Sequence, residues 1–541
     1  MQAQTFDFIV AGAGSAGCAV AARLSESGRH TVLLLEAGRR DRHPWIHIPL
    51  GYHKLYHHAG YNWKFESQPI AGLNNRTSYQ PRGKMLGGTS SLNGLIYMRG
   101  TPADYDNWRQ RGCQGWDYAS VLPFFRKAEN QERGENEFHG VGGPLNVCDP
   151  PFRHELVDAM IAASVEAGIP PNQDFNGASQ EGVGRYQATA LSGRRWSAAV
   201  AYLKPARRRK NLLVTPNAHA TRILFQDGRA VGIQYRTPSG VATARCRGEV
   251  IVSAGVYGSP QLLLLSGIGP GAHLNEMGIA VLKDLPPVGA NLHDHFNSYL
   301  ALRCAKPITL NDLTRSPMTK LTAAVQYAFA RRGHLAGPGL YAGAFVRSDQ
   351  RLDRPDLQMN FFLWSIEKRD ARGVYPHKFP GFSLSPVHLR PEGRGSVRLG
   401  CPDPLAQPRI ELAYLSTTYD VEAMLYGMRL ARKIAAQPSL RPYVLEEVLP
   451  GPSVTSDEAL TEDLRRRGVS NLHPVGSCRM GPGADAVVDS RLRVHGVSGL
   501  RVIDASIMPQ VVGGNTNAPA IKIGEKGAAM VLEDAQRQAQ L

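Results

Sequence analysis

The first residues able to do chemistry are Gly12-Ala13-Gly14-Ser15-Ala16-Gly17, whose glycines have the G-x-G-x-x-G spacing. In such a segment the first glycine makes a tight turn, the second lets a pyrophosphate approach the backbone, and the third lets a helix pack close to its strand. Glu36 follows 19 residues after Gly17, at the end of a second apolar run and just before Ala37. An acid that binds a ribose hydroxyl belongs at that distance. Strand, glycines, helix, strand and acid in this order predict a dinucleotide-binding unit. A glycine turn in an unrelated α/β protein would leave Glu36 without a role. The motif alone leaves FAD and NAD(P) open.

Histidine and cysteine are the other chemistry-bearing types. His43, His47, His53, His57 and His58 crowd one aromatic, glycine-containing stretch, and His53 and His57 could share a helical face. No acid or cysteine completes a ligand set there, so a polar or aromatic loop beside a cofactor is expected. His293-Asp294-His295 reads as buried hydrogen bonding in preference to metal ligation. Seven cysteines, an odd number with no C-x-x-C pair, argue against a disulfide framework and against structural zinc. No metal site is expected. His473 precedes Pro474, which restricts it to extended backbone and so could aim its imidazole.

Longer segments carry a resemblance. Arg82-Gly83-Lys84-Met85-Leu86-Gly87-Gly88-Thr89-Ser90-Ser91-Leu92-Asn93-Gly94, with Tyr97, Gly100 and Asp106 beyond it, resembles the first signature of the glucose-methanol-choline (GMC) flavoprotein oxidoreductases. Its glycine pair and hydroxyls suit a pyrophosphate and a flavin edge. Gly255 to Gly269 is similar to the second signature, with Val256 where the family usually has a smaller residue. Leu285 to His295 continues the pattern. Asn471 to Gly481 is similar to the segment that holds the family's active-site histidine, here His473. Leu500 to Pro509, with Asp504 and Ala505, resembles the strand and turn that return to the flavin. Gly514 to Ile521, with Thr516, resembles the second catalytic segment, and its His-or-Asn position is assigned to Asn517. These matches run from residue 6 to about residue 530, and within the family the chain is similar to bacterial choline, alcohol and sorbose dehydrogenases.

The resemblance implies FAD as cofactor. It implies that Arg82, Leu86, Gly87, Gly88, Ser91, Asn93 and Gly94 bind it together with the first glycine motif, and that Ala220 and Ser253-Ala254-Gly255 serve the adenine side. It further implies oxidation of an alcohol, with His473 taking the hydroxyl proton and Asn517 bonding the same oxygen. Certain members attach the flavin through a histidine just before the asparagine of the first signature. Leu92 stands there, so noncovalent binding is expected.

Such segments need a scaffold. Phe6 to Val10 and Thr31 to Leu35 are apolar, β-favouring runs that suit buried parallel strands, and Ala19 to Leu24 reads as the helix between them. Asn211 to Pro216, Thr221 to Phe225 and Glu249 to Ala254 read as further strands, with Asp227-Gly228 as a hairpin turn. Strands at 357–364, 382–389, 396–399 and 409–412 are expected to form one sheet over the reactive face. The expected fold is therefore α/β: a discontinuous Rossmann-like FAD domain (6–154, 206–300, 468–541) and an inserted substrate domain on an antiparallel sheet (155–205, 301–467).

Composition bounds the remainder. With 541 residues, two or more domains are expected. Lys and Arg exceed Asp and Glu, for a net charge of +16, but short runs such as Arg207 to Lys210 lack interleaved aromatics. Nucleic acid is therefore not expected; a basic surface would suit anionic metabolites, membrane-associated electron acceptors or a weak membrane-surface association, and an Arg-rich composition explains the charge equally well. The N-terminus lacks a basic signal region, and no uncharged stretch is long enough to span a bilayer, so a cytoplasmic location is the default. The expected activity is oxidation of an alcohol, with electrons leaving to a quinone-like acceptor or to oxygen. Asn471 is polar where some oxidases of the family are apolar, which favours a dehydrogenase. The alternative class is a non-oxidising, FAD-containing lyase or decarboxylase.

Overall fold

A computed structural model describes residues 4–150, 152–370 and 372–540. The first of its two large sheets has seven strands. Its parallel part runs Leu212–Pro216, Val32–Glu36, Gln4–Ala11, the end of Gly240–Val252, and Leu500–Val502. Ile9, Val10, Leu34, Leu35 and Val250 are fully buried, as expected for strands covered on both faces. An antiparallel extension, Arg229–Thr237 and His219–Gln226, turns back through Asp227 and Gly228, both at positive φ as a two-residue hairpin turn requires. The strand expected from Glu249 is the end of a 13-residue strand. Its first half is largely exposed and pairs with the hairpin, so apolar patterning marked only the buried half.

The helix Ser15–Leu24 lies on this sheet, crossed by the C-terminal helix Asn517–Gln540. The crossing is close, because a Cβ on Gly524 would meet the Ala16 carbonyl oxygen at 2.6 Å. Arg23 clamps it with paired bonds to Glu525 at 2.8 and 2.9 Å, and Tyr202 donates to the same carboxylate at 2.7 Å. The two ends of the chain thus form one wall of the nucleotide side.

The second sheet is antiparallel, in the order Val444–Leu449, Leu300–Cys304, Gly381–His388, Leu357–Phe362, Leu340–Val346, Gly182–Arg185. The helices Glu155–Glu166 and Thr418–Ala435 pack against it and share its apolar core. Two of the four strands expected in this sheet are elsewhere. Ser396–Arg398 and Arg409–Glu411 form their own ribbon, which hangs on the Gly289 and Leu292 backbone.

Pairing also crosses the expected divisions. Phe296–Asn297 and Val469–Ser470 pair with each other, and the first joins the end of Gly381–His388. Both therefore belong to the antiparallel sheet. Ala198 to Leu203 pack into the nucleotide-side core. An apolar run shows that it will be buried, not in which of two cores.

Candidate active site

At the first motif, Gly12 has φ +108°, and a Cβ there would collide with the Ser253 carbonyl oxygen at 2.4 Å. A Cβ on Gly17 would fall 1.9 Å from the Gly12 carbonyl oxygen, so the helix can begin against its strand only with glycine there. Glu36 accepts the Ala13 N–H at 3.0 Å and the Gly38 N–H at 2.8 Å. Burial pushes its carboxyl up to about 7, against those two N–H groups and Lys84. It lines a cavity of about 150 Å³ with Ala37, Ala220, Ser253 and Ala254.

A second cavity, of about 250 Å³, continues from the first and shares Arg82, Thr89, Gly255 and Val256 with it. Ser15, Ala16, Asn93 and Gly94 line it on the nucleotide side, and Asp504, Ala505 and Thr516 on the C-terminal side. Leu86, Gly87, Ser91 and Gly17 stand behind the walls. Gly87 N–H bonds the Ala13 carbonyl at 2.8 Å, and Ser91 donates to the Leu86 carbonyl at 2.9 Å, so these residues shape the turn without facing the space.

The joined cavities fit an extended dinucleotide such as FAD. A Cβ on Gly14, Gly94 or Gly255 would meet nothing within 4 Å. Backbone is thus bared to open space where a large planar group needs close approach. At the junction, Arg82 Nε and Nη2 are buried without an acceptor from the protein, and a buried guanidinium needs one. Pyrophosphate or a ring carbonyl would supply it.

His473 is at the far end. Its backbone N–H donates to Asp294 at 2.7 Å, and Tyr414 and Ser470 donate to the same carboxylate. Its Nδ1 lies 3.0 Å from His295 Nδ1 and 3.2 Å from Asn471 Nδ2, and its Nε2 lies 3.1 Å from Asn515 Nδ2. Burial, with Arg82 adding to it, lowers its pKa to about 3. The imidazole is neutral at pH 7.

The C-terminal amide that meets His473, at Nε2, is therefore that of Asn515, two residues before the one expected. Asn517 opens the C-terminal helix and accepts the Ser15 hydroxyl at 2.7 Å, on the nucleotide side. The backbone just before them is fixed, and the C-terminal helix begins at Asn517: Gly513 N–H is held by Asp104 at 2.8 Å, its carbonyl accepts Gln180 at 2.6 Å, and Gly514 has φ +145°. The two asparagines thus line one cavity at different places, Asn515 beside His473 and Asn517 beside Ser15. His293 is spent structurally, with Nδ1 at 2.7 Å from the Asn291 carbonyl and Nε2 accepting Val511 N–H at 2.9 Å.

The end of the cavity away from the glycines is aromatic. Tyr52, His53, Tyr56, Tyr299, Phe362 and Trp364 line it, with Asn297 and Asn360. These residues come from three separate segments, of which only the first is marked in the sequence, as an aromatic stretch beside a cofactor. Of the clustered histidines only His53 lines this cavity; it packs edge-on to Trp364 at 4.5 Å, and burial lowers its pKa to about 3. Asp504, among the described residues the one carboxylate that lines it, is already used by Gly255 N–H, the Ser259 hydroxyl and Ser506 N–H at 2.8, 2.5 and 2.8 Å. Arg369 brings a positive charge, bonded to the Ser470 carbonyl at 2.8 Å.

A nucleotide sheet bearing a glycine motif, an antiparallel sheet above it and a buried histidine between them define a flavin-dependent oxidoreductase. The chain belongs to the GMC oxidoreductase family, whose two models match residues 6–297 and 391–524. FAD is the cofactor this family implies, and oxidation of CH–OH groups its chemistry. Among curated relatives, an alcohol dehydrogenase [acceptor] of Pseudomonas putida is 40% identical, across 97% of this chain and 96% of its own. An oxygen-dependent choline dehydrogenase of Rhizobium etli is 43% identical, across 97% and 95%. Among solved structures, pyridoxine 4-oxidase from Mesorbium loti superposes with a TM-score of 0.87 at 30% identity, covering 97% of this chain and 99% of that one. Formate oxidase of Aspergillus oryzae does so with 0.93 at 26% identity, covering 99% and 100%.

Proposed function

We propose that the protein oxidises an uncharged primary alcohol with an apolar or aromatic body to the carbonyl compound, with noncovalent FAD, and passes the electrons to an external acceptor. The observation that carries this reading is the neutral His473, its Nε2 beside the Asn515 amide where the aromatic cavity meets the cofactor glycines. FAD, when bound, supplies the hydride acceptor for the carbinol carbon.

The protein's own task is the proton. A neutral imidazole has one N–H and one lone pair. Amide nitrogens face both ring nitrogens, Asn515 Nδ2 at Nε2 and Asn471 Nδ2 at Nδ1, and only one ring nitrogen can accept; the tautomer able to act as base toward the cavity has its lone pair on Nε2 and its proton on Nδ1, toward His295. An alcohol hydroxyl entering beside Asn515 replaces that amide as the donor to Nε2, whose one lone pair takes the proton as general base. Asn515 then donates to the oxygen as negative charge develops on it. Asp294 fixes the backbone of His473, so the ring is held before substrate arrives.

Choline is a poor match for this cavity although relatives are named for it. A quaternary ammonium is best held by aromatic faces with an anion nearby, and here the available charge is that of Arg369, while Asp504 is engaged by its neighbours. Leu92 lines the cavity with an alkyl chain that offers no nucleophile for a flavin link.

The test is anaerobic mixing of the yellow, flavin-loaded protein with benzyl alcohol, a medium-chain alkanol and choline, each at several concentrations. The alcohols should bleach the flavin with kcat/KM at least ~10-fold above choline, and acid precipitation should release all the flavin. Bleaching by none of the three would reject the oxidation, and choline as the best substrate would reject the substrate class.

A further inference from the structure

The helix Pro317–Ala330 presents an apolar stripe that, among the described residues, no other element covers. Met318, Leu321, Val325 and Phe329 are 70%, 59%, 48% and 88% exposed. At about 100° per residue they fall within one arc of about 80°. Tyr327, the buried residue of this helix, is on the opposite side and donates its hydroxyl to the Gly193 carbonyl at 3.1 Å. Single exposed apolar residues need no explanation, but four along one face do.

Charge selects the occupant. From Leu313 to Ser348 the sequence has no aspartate or glutamate, while Lys320, Arg331 and Arg332 are exposed. A second copy, itself at +16, would set like charges against them. Anionic lipid headgroups would complement them, and the stripe would enter the boundary of the acyl chains. Among the described residues no helix is long and apolar enough to cross a bilayer, so such a helix lies on the surface.

We propose that Pro317–Ala330 docks the protein on an anionic membrane, with Met318, Leu321, Val325 and Phe329 inserted and Arg331 and Arg332, at the end of the helix, at the headgroups. The segment that follows the helix leads to the alcohol cavity. The Pro338 carbonyl accepts the Tyr52 hydroxyl at 3.0 Å, and both Tyr52 and Leu340 line that cavity. Docking therefore brings a cavity wall to the bilayer, where apolar alcohols and lipid-soluble electron acceptors concentrate. That consequence rests on the proposed activity, and the docking itself does not.

The experiment is flotation of flavin-loaded protein with vesicles of phosphatidylcholine alone and of phosphatidylcholine mixed with phosphatidylglycerol. Wild type should float with the anionic vesicles, and salt should weaken this. The double variant Leu321→Glu with Phe329→Glu should stay at the bottom, with unchanged flavin content and unchanged alcohol oxidation with a soluble artificial acceptor. Phe329→Trp, a milder change, should give a blue-shifted emission that lipid-borne quenchers extinguish. Wild type that fails to float, or a tryptophan blind to those quenchers, overturns the proposal. So does a concentration-dependent dimer, dissolved by the glutamates, in protein that ignores vesicles.

Discussion

An imidazole buried beside a guanidinium resists protonation, and this sets the behaviour expected of His473. Its pKa is lowered to about 3 by burial and then by Arg82. The active form is the neutral one, so the rate of flavin reduction should hold as pH falls below 6.5 and be lost only as pH falls through the lowered pKa. Arg82→Met removes the charge and should move that acid limb upward toward 6.5, measured by anaerobic reduction at matched flavin content; an unmoved limb would exclude this coupling. The asparagines separate on the same assay. His473→Ala should lose roughly 10²-fold to 10⁴-fold in kcat/KM, and Asn515→Ala roughly 10²-fold, as for loss of one donor to a developing oxyanion. Asn517→Ala should mainly weaken FAD retention through Ser15. Equal rate losses at positions 515 and 517 would place both at the reacting oxygen.

Among the elements, the C-terminal helix holds a cost. Lys522 is fully buried, its Nζ has no hydrogen-bond partner among the described residues, and Tyr105, Trp108, Trp116 and Phe125 surround it at 4.6, 4.9, 4.6 and 5.7 Å. Ring faces attract an ammonium by about 2 kcal/mol when it is desolvated. Loss of hydration costs several kcal/mol, so burial wins and lowers its pKa well below 10.5, with Lys526 adding to the effect. The unfolded chain then binds a proton that the folded one does not, so stability at this site should rise as pH climbs toward 10.5. Lys522→Met, nearly equal in volume, should stabilise the protein by about 1–3 kcal/mol at pH 7. Denaturant titration of the two proteins tests this, and a less stable methionine variant would mean that the aromatic faces outweigh the lost hydration.

Across the whole molecule, several histidines are stored uncharged. Burial lowers the pKa of His53 and His293 to about 3, with help from Arg369 and Arg394, and that of His219 to about 4. The unfolded chain takes up protons near 6.5 and the folded one does not. Their contribution to stability is therefore complete above 6.5 and lost as pH falls toward about 3 to 4. The denaturant midpoint should drop between pH 7 and pH 5, before most carboxylates titrate. A flat midpoint across that interval would count against neutral burial of these rings.

Local chemistry made part of this molecule legible without coordinates. The spacing of Gly12, Gly14 and Gly17 and the distance to Glu36 are enforced within one strand–helix–strand unit, where contacts are short in sequence and leave a periodic trace. The Asp227-Gly228 turn is legible for the same reason, since two residues alone must take positive φ. Tertiary structure decided the rest. Asn515 and Asn517 are alike in type and separated by one residue, and only the tertiary setting, with the Gly513–Gly514 turn held ahead of them by Asp104 and Gln180 and the C-terminal helix beginning at Asn517, sends one to His473 and the other to Ser15. The aromatic wall of Tyr52, Tyr299, Phe362 and Trp364 likewise left no motif, because its spacing exists across strands and not along the chain. Which apolar run joins which sheet was undecided for the same reason: hydrophobicity drives burial without direction, and the partner is chosen by packing between residues hundreds of positions apart.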